Sequence, residues 1–230
     1  MTRRNKLLKF TELLTFPNVY ENFDHKTNVL TGVDDQEYKL EGLWNDRHFK
    51  NSNPIVLELG CGGGDYSIAL GQRYPEINFI GVDIKGARIW RGARKALELK
   101  LYNVAFLRSK IEMLDNFFAL NEIAEIWITF PDPFLKFRKA NRRLTSDNFL
   151  KLYNKFLIRG GAINLKTDSD SMYLHTKAVI EKEGHIIEQD NTNIYDAPLT
   201  HDDLDIKTHY EIQHLKDERT IKYIRFSLNY

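Results

Sequence analysis

The segment IVLELGCGGGD, residues 55–65, constrains the fold more than any other part of the chain. An apolar run over 55–60 reads as a buried strand, four glycines crowd into residues 60–64, and Asp65 to Arg73 reads as a helix. A strand that passes through glycines straight into a helix is the opening of a βαβ unit. Glycine there takes positive φ at little cost and lets backbone approach a ligand closely. The next strand, INFIGVD (77–83), ends at Asp83. That places a carboxylate about 20 residues beyond the turn, where it can accept from both hydroxyls of a ribose.

The same alternation continues along the chain. Ala87 to Leu99 reads as a helix, VAFLRS (104–109) as a strand, and EIWITF (125–130) as a strand stopped by Pro131 and Pro133. Thr145 to Ile158 reads as a helix, GAINLKT (161–167) as a strand, and Ser171 to Lys182 as a helix. HIIEQ (185–189) and TIKYIRFSL (220–228) read as late strands. Strands alternating with helices imply an α/β fold with a doubly wound, Rossmann-like and mostly parallel sheet. Residues 1–54 form an N-terminal extension packed on or near that sheet, helical from Lys6 to Leu14 and polar up to Ser52. Residues 55–230 form the main domain.

Composition narrows the class. A chain of 230 residues with 42% hydrophobic and 28% charged residues builds an ordinary globular core. A single cysteine excludes an internal disulfide and fits a reducing compartment. The start, MTRRNKLLKF, has charge but no apolar signal region, and no run approaches the ~20 residues of a membrane span. A cytoplasmic protein with no membrane contact is the expectation. Its net charge of +1 means that any nucleic-acid surface must be local.

Two ligand types suit the glycine turn, a dinucleotide or S-adenosylmethionine, and a tight turn with no ligand is the plainer alternative. Glu58 separates the first two. A carboxylate in the turn repels a pyrophosphate and favours a cation such as an ammonium or sulfonium. Asp132 sits between two prolines at another strand end, where open α/β sheets bind ligands. Lys136, Arg138, Lys139, Arg142 and Arg143 then put five cations into eight residues, interleaved with Phe134 and Phe137. Such a run is ordinarily a solvated face, but its place beside Asp132 suits a phosphate backbone with exposed bases. Seven scattered histidines show no metal spacing. Cys61 reads as a space-filler beside the turn, Trp44, Trp90 and Trp127 as core, and Arg3 and Arg4 as a terminal arm.

Four blocks, ELGCGGG (58–64), GVDIKGAR (81–88), FPDPFLKFRKANRRLT (130–145) and LKTD (165–168), followed by THYE (208–211), together resemble the bacterial tRNA (guanine-N7-)-methyltransferases. The resemblance spans nearly all of the chain from Ile55 onward. It implies a seven-stranded methyltransferase sheet whose last strand is antiparallel. It implies methyl transfer from S-adenosylmethionine to N7 of a guanine in the tRNA variable loop (guanine-46), with no metal. Glu58, Gly60, Gly62, Gly64 and Asp83 then hold the cofactor, and Asp132 is catalytic and touches it. Lys136, Arg138, Lys139, Arg142, Arg143, Asp168, Thr208, His209, Tyr210 and Glu211 contact the tRNA or its target base. The chain departs from the family at Ser109 and Lys110, where an acidic residue usually faces the adenine. Rival readings are a small-molecule methyltransferase, a non-catalytic RNA-binding module and a nicotinamide oxidoreductase. The basic segment opposes the first, Glu58 with Asp83 the second, and Glu58 with the E-x-G-x-G-x-G spacing the third. A monomer and a homodimer are equally compatible with the sequence.

Overall fold

A computed structural model describes residues 9–229, so Arg3, Arg4 and the first part of the expected helix lie outside the described residues. Helical residues 9–13 lead into three short strands, β1 (Val19–Glu21), β2 (Leu30–Thr31) and β3 (Glu37–Tyr38). The alternating part opens with β4 (Ile55–Leu59), α1 (Asp65–Arg73), β5 (Asn78–Asp83), α2 (Gly86–Glu98) and β6 (Val104–Arg108). It continues with β7 (Ile123–Thr129), α3 (Asp147–Tyr153), β8 (Leu157–Thr167) and α4 (Asp170–Glu183). It closes with β9 (Ile186–Asn191), α5 (His209–Lys216) and β10 (Lys222–Ser227).

All of these strands join one sheet in the order β3-β2-β1-β6-β5-β4-β7-β8-β10-β9. The stretch from β6 to β8 is parallel, and β10 runs antiparallel between β8 and β9. These seven strands match the expected layout. The N-terminal residues do more than pack against the sheet: β1 pairs in parallel with β6, Val19 opposite Phe106 and Glu21 opposite Arg108. A strand of three residues is too short to show a period-two pattern, so the sequence concealed it.

Every residue of β4 and β5 is buried. That explains their unbroken apolar runs, because helices cover both faces of a parallel sheet. Alternate positions feed two cores. Leu57, Leu59, Ile80, Val82 and Ile126 belong to one, and Val56, Phe79, Phe106 and Trp127 to the other. The helix expected over 145–158 spans only Asp147–Tyr153, and β8 starts at Leu157 rather than Gly161. Phe156 and Leu157 are both buried, and they continued the apolar pattern across the break.

Phe106 of β6 sets how closely the glycine turn, β5 and α2 approach one another. A Cβ built on Gly64 would lie 2.5 Å from its ring and one on Gly81 2.9 Å, while one on Gly92 would lie 2.5 Å from the Gly63 carbonyl oxygen. A mid-helix glycine costs about 1 kcal/mol relative to alanine. At Gly92 this is offset by seating α2 directly on the turn. Gly92→Ala is therefore expected to destabilise by about 1–3 kcal/mol despite its better helix propensity. Urea titration checks this; an unchanged or raised midpoint contradicts the close approach.

Candidate active site

The strand order reverses at β4, which has β5 on one side and β7 on the other. Loops leaving the carboxyl ends of strands diverge at such a point and open a crevice. A cleft of about 1150 Å³ lies there, bordered by Glu58, the glycine turn, Asp83, Ser109, Thr129 and the 130–134 loop. Gly60, Gly62 and Gly64 take φ of 73°, 58° and 70°. A Cβ on Gly62 would meet nothing within 4 Å, so backbone conformation, not crowding, requires glycine there. The Gly62 amide donates to Asp83 Oδ2 at 2.9 Å and the Lys85 amide to Oδ1 at 2.8 Å. Asp83 thus ties the first two loops together at the rim and keeps oxygen lone pairs free for a ligand.

Glu58 is buried. Its Oε2 accepts from the Ser67 amide at 2.8 Å and the Ser67 hydroxyl at 2.5 Å, and its Oε1 accepts from Thr129 Oγ1 at 3.1 Å. These bonds link β4, α1 and β7 through one side chain. Burial pushes its carboxyl up to about 7, against the pull of the Ser67 and Thr129 hydrogen bonds, and nearby Asp65 adds to the rise. Among the described residues Glu58 has no basic partner, and a buried carboxylate so placed makes a ligand cation favourable. Cys61 is buried and free, and burial pushes its thiol well up. A buried thiol held protonated is a poor nucleophile.

Asp132 is exposed and borders the cleft, with Oδ1 accepting from the Phe134 amide at 3.2 Å. Phe130 and Phe134, on either side of it, both sit in the left-handed region at φ 48° and 40°. A non-glycine residue there costs about 1–2 kcal/mol, and such strain concentrates where side-chain placement is functional. Lys136 is exposed just before a turn of 3₁₀ helix over 137–142, Arg138, Lys139 and Arg142 are exposed on it, and Arg142 reaches the cleft.

Three expectations need correction. Arg143 is 7% exposed, and its guanidinium is turned inward onto the Pro133 and Phe134 carbonyls and Ser171 Oγ, so it does not share the outward face of its neighbours. Asp168 does not border the cleft. Its carboxylate is taken by Arg219 at 2.7 Å and His214 at 3.3 Å. Glu211 is wholly buried, ion-paired with buried Lys166 at 2.8 Å and accepting from the Tyr195 hydroxyl at 2.6 Å. THYE is a helix start: Thr208 caps α5 by accepting from the Glu211 amide. Thr208, His209 and Tyr210 do border the cleft.

Lys110 lines it beside Ser109, where the resemblance put the departure from the family, and Lys9, Lys85, Arg88, Arg91 and Glu112 line it without having been expected to. The spacing of Lys85, Arg88 and Arg91 by three, directly after Asp83, was the available signal: it puts them on one helix face at the cleft's edge. Trp44 and Trp127 lie in the core, whereas Trp90 is part-exposed beneath Lys9, whose Nζ is 4.1 Å from the ring centroid. Among the described residues no cluster of His, Cys, Asp or Glu has the makings of a metal site.

A sheet reversed at β4, a glycine cradle, a strand-end aspartate and a loop carboxylate facing one cleft define a Rossmann-like methyltransferase. The family model described as "Putative methyltransferase" matches residues 52–224. The tRNA (guanine-N(7)-)-methyltransferase of Bacteroides fragilis is 48% identical over 98% of this chain and 86% of that protein. The one from Christiangramia forsetii is 44% identical over 99% of this chain and 100% of that protein. The chain belongs to the tRNA (guanine-N7-)-methyltransferase family. In fold it is similar to a 30S ribosomal A1408 methyltransferase from an uncultured bacterium, with TM-score 0.59 at 16% identity over 87% of this chain and 99% of that one.

The Glu58 environment carries a pH signature. The folded state holds the carboxyl proton up to about 7 against an ordinary 4.5. The carboxyl therefore contributes stability below its unfolded value and loses it as pH rises through 7. The difference amounts to about 3 kcal/mol. Glu58→Gln, which cannot ionise, is expected to match wild type near pH 4.5 and to become progressively more stable than it up to about pH 7.5. Paired urea titrations across pH measure this; a gap that stays constant with pH shows that Glu58 carries no buried charge.

Proposed function

We propose that this protein transfers a methyl group from S-adenosylmethionine to N7 of a guanine in the variable loop of tRNA, in the cytoplasm. One observation carries the reading: Asp132 and Arg142, from the loop that bears the exposed cations, border the same cleft as Glu58, the glycine turn and Asp83. A cofactor site and a polyanion surface meet across a few residues.

The residues present fit S-adenosylmethionine. Asp83 offers acceptors for ribose hydroxyls, the positive-φ glycines let backbone lie against the cofactor, and Glu58 offers negative charge to its cationic end. The bound cofactor supplies a methyl group on a sulfonium centre. The protein's task is to hold the guanine in line with it, and positioning of this kind is worth ~7–11 kcal/mol. Guanine N7 has an in-plane lone pair and no proton, so no general base is needed. The base becomes cationic as the bond forms, which strengthens its N1–H and amino donors. A carboxylate on that edge gains most in the transition state, the condition for a faster reaction. We assign this role to Asp132, on the loop that borders the cleft beside the exposed cations. Asp168, engaged by Arg219 and His214, is not available for it. A loop base is also cheaper to expose than one in a stem, whose N7 faces the deep, narrow major groove of A-form RNA.

Incubation with labelled S-adenosylmethionine and tRNA, followed by nucleoside analysis, is expected to yield 7-methylguanosine; label in any other nucleoside, or none, refutes the reading. Asp132→Asn keeps the side chain's shape and removes its charge. It is expected to fold normally and to lose roughly tenfold to a hundredfold in single-turnover rate, the worth of a charged hydrogen bond of about 1.5–3 kcal/mol. Full activity removes Asp132 from the mechanism.

The exposed cations predict a steep fall of tRNA affinity with salt, because each neutralised phosphate releases counterions. Lys139→Ala and Arg142→Ala are each expected to reduce the slope of log K against log salt by about one. A filter-binding series measures this, and an unchanged slope makes the cluster a merely solvated face.

A further inference from the structure

We propose that Arg143 is a positioning residue for Asp132: a buried clamp that holds a strained loop in its working shape and makes no contact with RNA. The proposal deepens the methyl-transfer reading and rests on it for the identity of the reaction.

The loop from Phe130 to Phe134 has little to hold it in place by itself. Pro131 and Pro133 have no N–H to donate. The Phe134 amide is spent on the Asp132 carboxylate, and the Phe130 amide reaches back to the Lys166 carbonyl at 2.8 Å. Both phenylalanines have positive φ, a region that side chains bearing a Cβ rarely adopt. Left alone, such a loop relaxes towards negative φ and carries Asp132 away from the cleft.

Arg143 supplies what the loop lacks. Its Nε donates to the Pro133 carbonyl at 2.8 Å, and its Nη2 donates to the Phe134 carbonyl at 3.3 Å and to Ser171 Oγ at 2.9 Å. Ser171 lies in the first turn of α4, directly after β8. One planar guanidinium thereby ties the loop after β7 to the helix after the neighbouring strand. Among the described residues it has no carboxylate partner, so its donors serve two carbonyls and a hydroxyl. Lysine has no planar fork to span all three. The next residue back, Arg142, is exposed and borders the cleft. Two adjacent arginines, alike in sequence, thus have opposite tasks: Arg142 faces the solvent and the polyanion, and Arg143 faces the loop.

The test compares Arg143→Ala, Arg143→Lys and Ser171→Ala with Arg142→Ala, the RNA-facing control. Four quantities are read: single-turnover methyl transfer at saturating tRNA, the salt slope of tRNA binding, cofactor affinity, and amide hydrogen exchange of the 130–135 segment without RNA. A displacement of about 1 Å in a positioned group can cost about a hundredfold. Arg143→Ala is expected to lose at least tenfold in rate, with salt slope and cofactor affinity unchanged and faster exchange confined to 130–135. Arg143→Lys should lose less and Ser171→Ala least. Millimolar methylguanidinium should restore part of the rate of Arg143→Ala. A salt slope reduced by about one with the rate at saturation intact makes Arg143 an RNA contact and overturns the proposal. So does unchanged exchange over 130–135. If Arg143→Ala does not fold, the graded loss in Arg143→Lys and Ser171→Ala carries the decision, and normal rates in both overturn it. Failure of the wild type to methylate tRNA refutes the reaction assignment separately, because the exchange measurement needs no RNA.

Discussion

A carboxylate shut into the switch point of a parallel sheet is the constraint from which the rest of the site follows. Ionising Glu58 there is costly, and neutral Ser67 and Thr129 offset only part of the cost. Buried charges are normally paired, and among the described residues Glu58 has no basic partner, so the floor of the cleft favours a cation from outside. Satisfying that demand with protein, by a lysine or arginine, would fill the cleft. Glu58 also joins β4, α1 and β7, so the side chain that creates the demand fixes the elements that shape the opening.

The neighbouring backbone follows from close packing against Phe106. Gly64, Gly81 and Gly92 surround its ring where no side chain fits, and α2 comes down on the turn as a result. Asp83 then bridges the turn and the start of α2 through two amides. On the opposite wall the solution is different. There the loop is strained at two aromatic positions, and a buried arginine holds it from below. One wall is rigid by packing and the other by hydrogen bonds. Asp132 stands on the second wall, where it borders the cleft next to the cationic turn.

Much of this was legible in the sequence, for definite reasons. Glycines between a strand and a helix, and carboxylates at strand ends, are local patterns, and the structure has Glu58, Asp83 and Asp132 bordering one cleft. Residues whose role depends on which way the side chain turns were not legible. Arg142 and Arg143 are identical neighbours that face opposite ways. Asp168 and Glu211 are acidic residues in motifs near the cleft, yet each is taken by a basic partner distant in sequence, Arg219 in one case and Lys166 in the other. The parallel pairing of β1 with β6 joins residues nearly ninety positions apart, as in Val19 opposite Phe106, and no window along the chain contains both. Loop lengths misled as well: the buried pair Phe156–Leu157 extended a helical pattern through what is a turn into β8.

We propose that Glu58 receives the cationic end of S-adenosylmethionine, so that binding at a pH where its carboxyl is protonated expels that proton. Calorimetry in buffers of different ionisation enthalpy counts protons released on binding and tests this most directly. The account predicts release approaching one proton at about pH 6, where the unliganded carboxyl is still protonated, fading by about pH 8. It also predicts that Glu58→Gln abolishes that difference between the two pH values. The same proton count in wild type and Glu58→Gln at both pH values would contradict it.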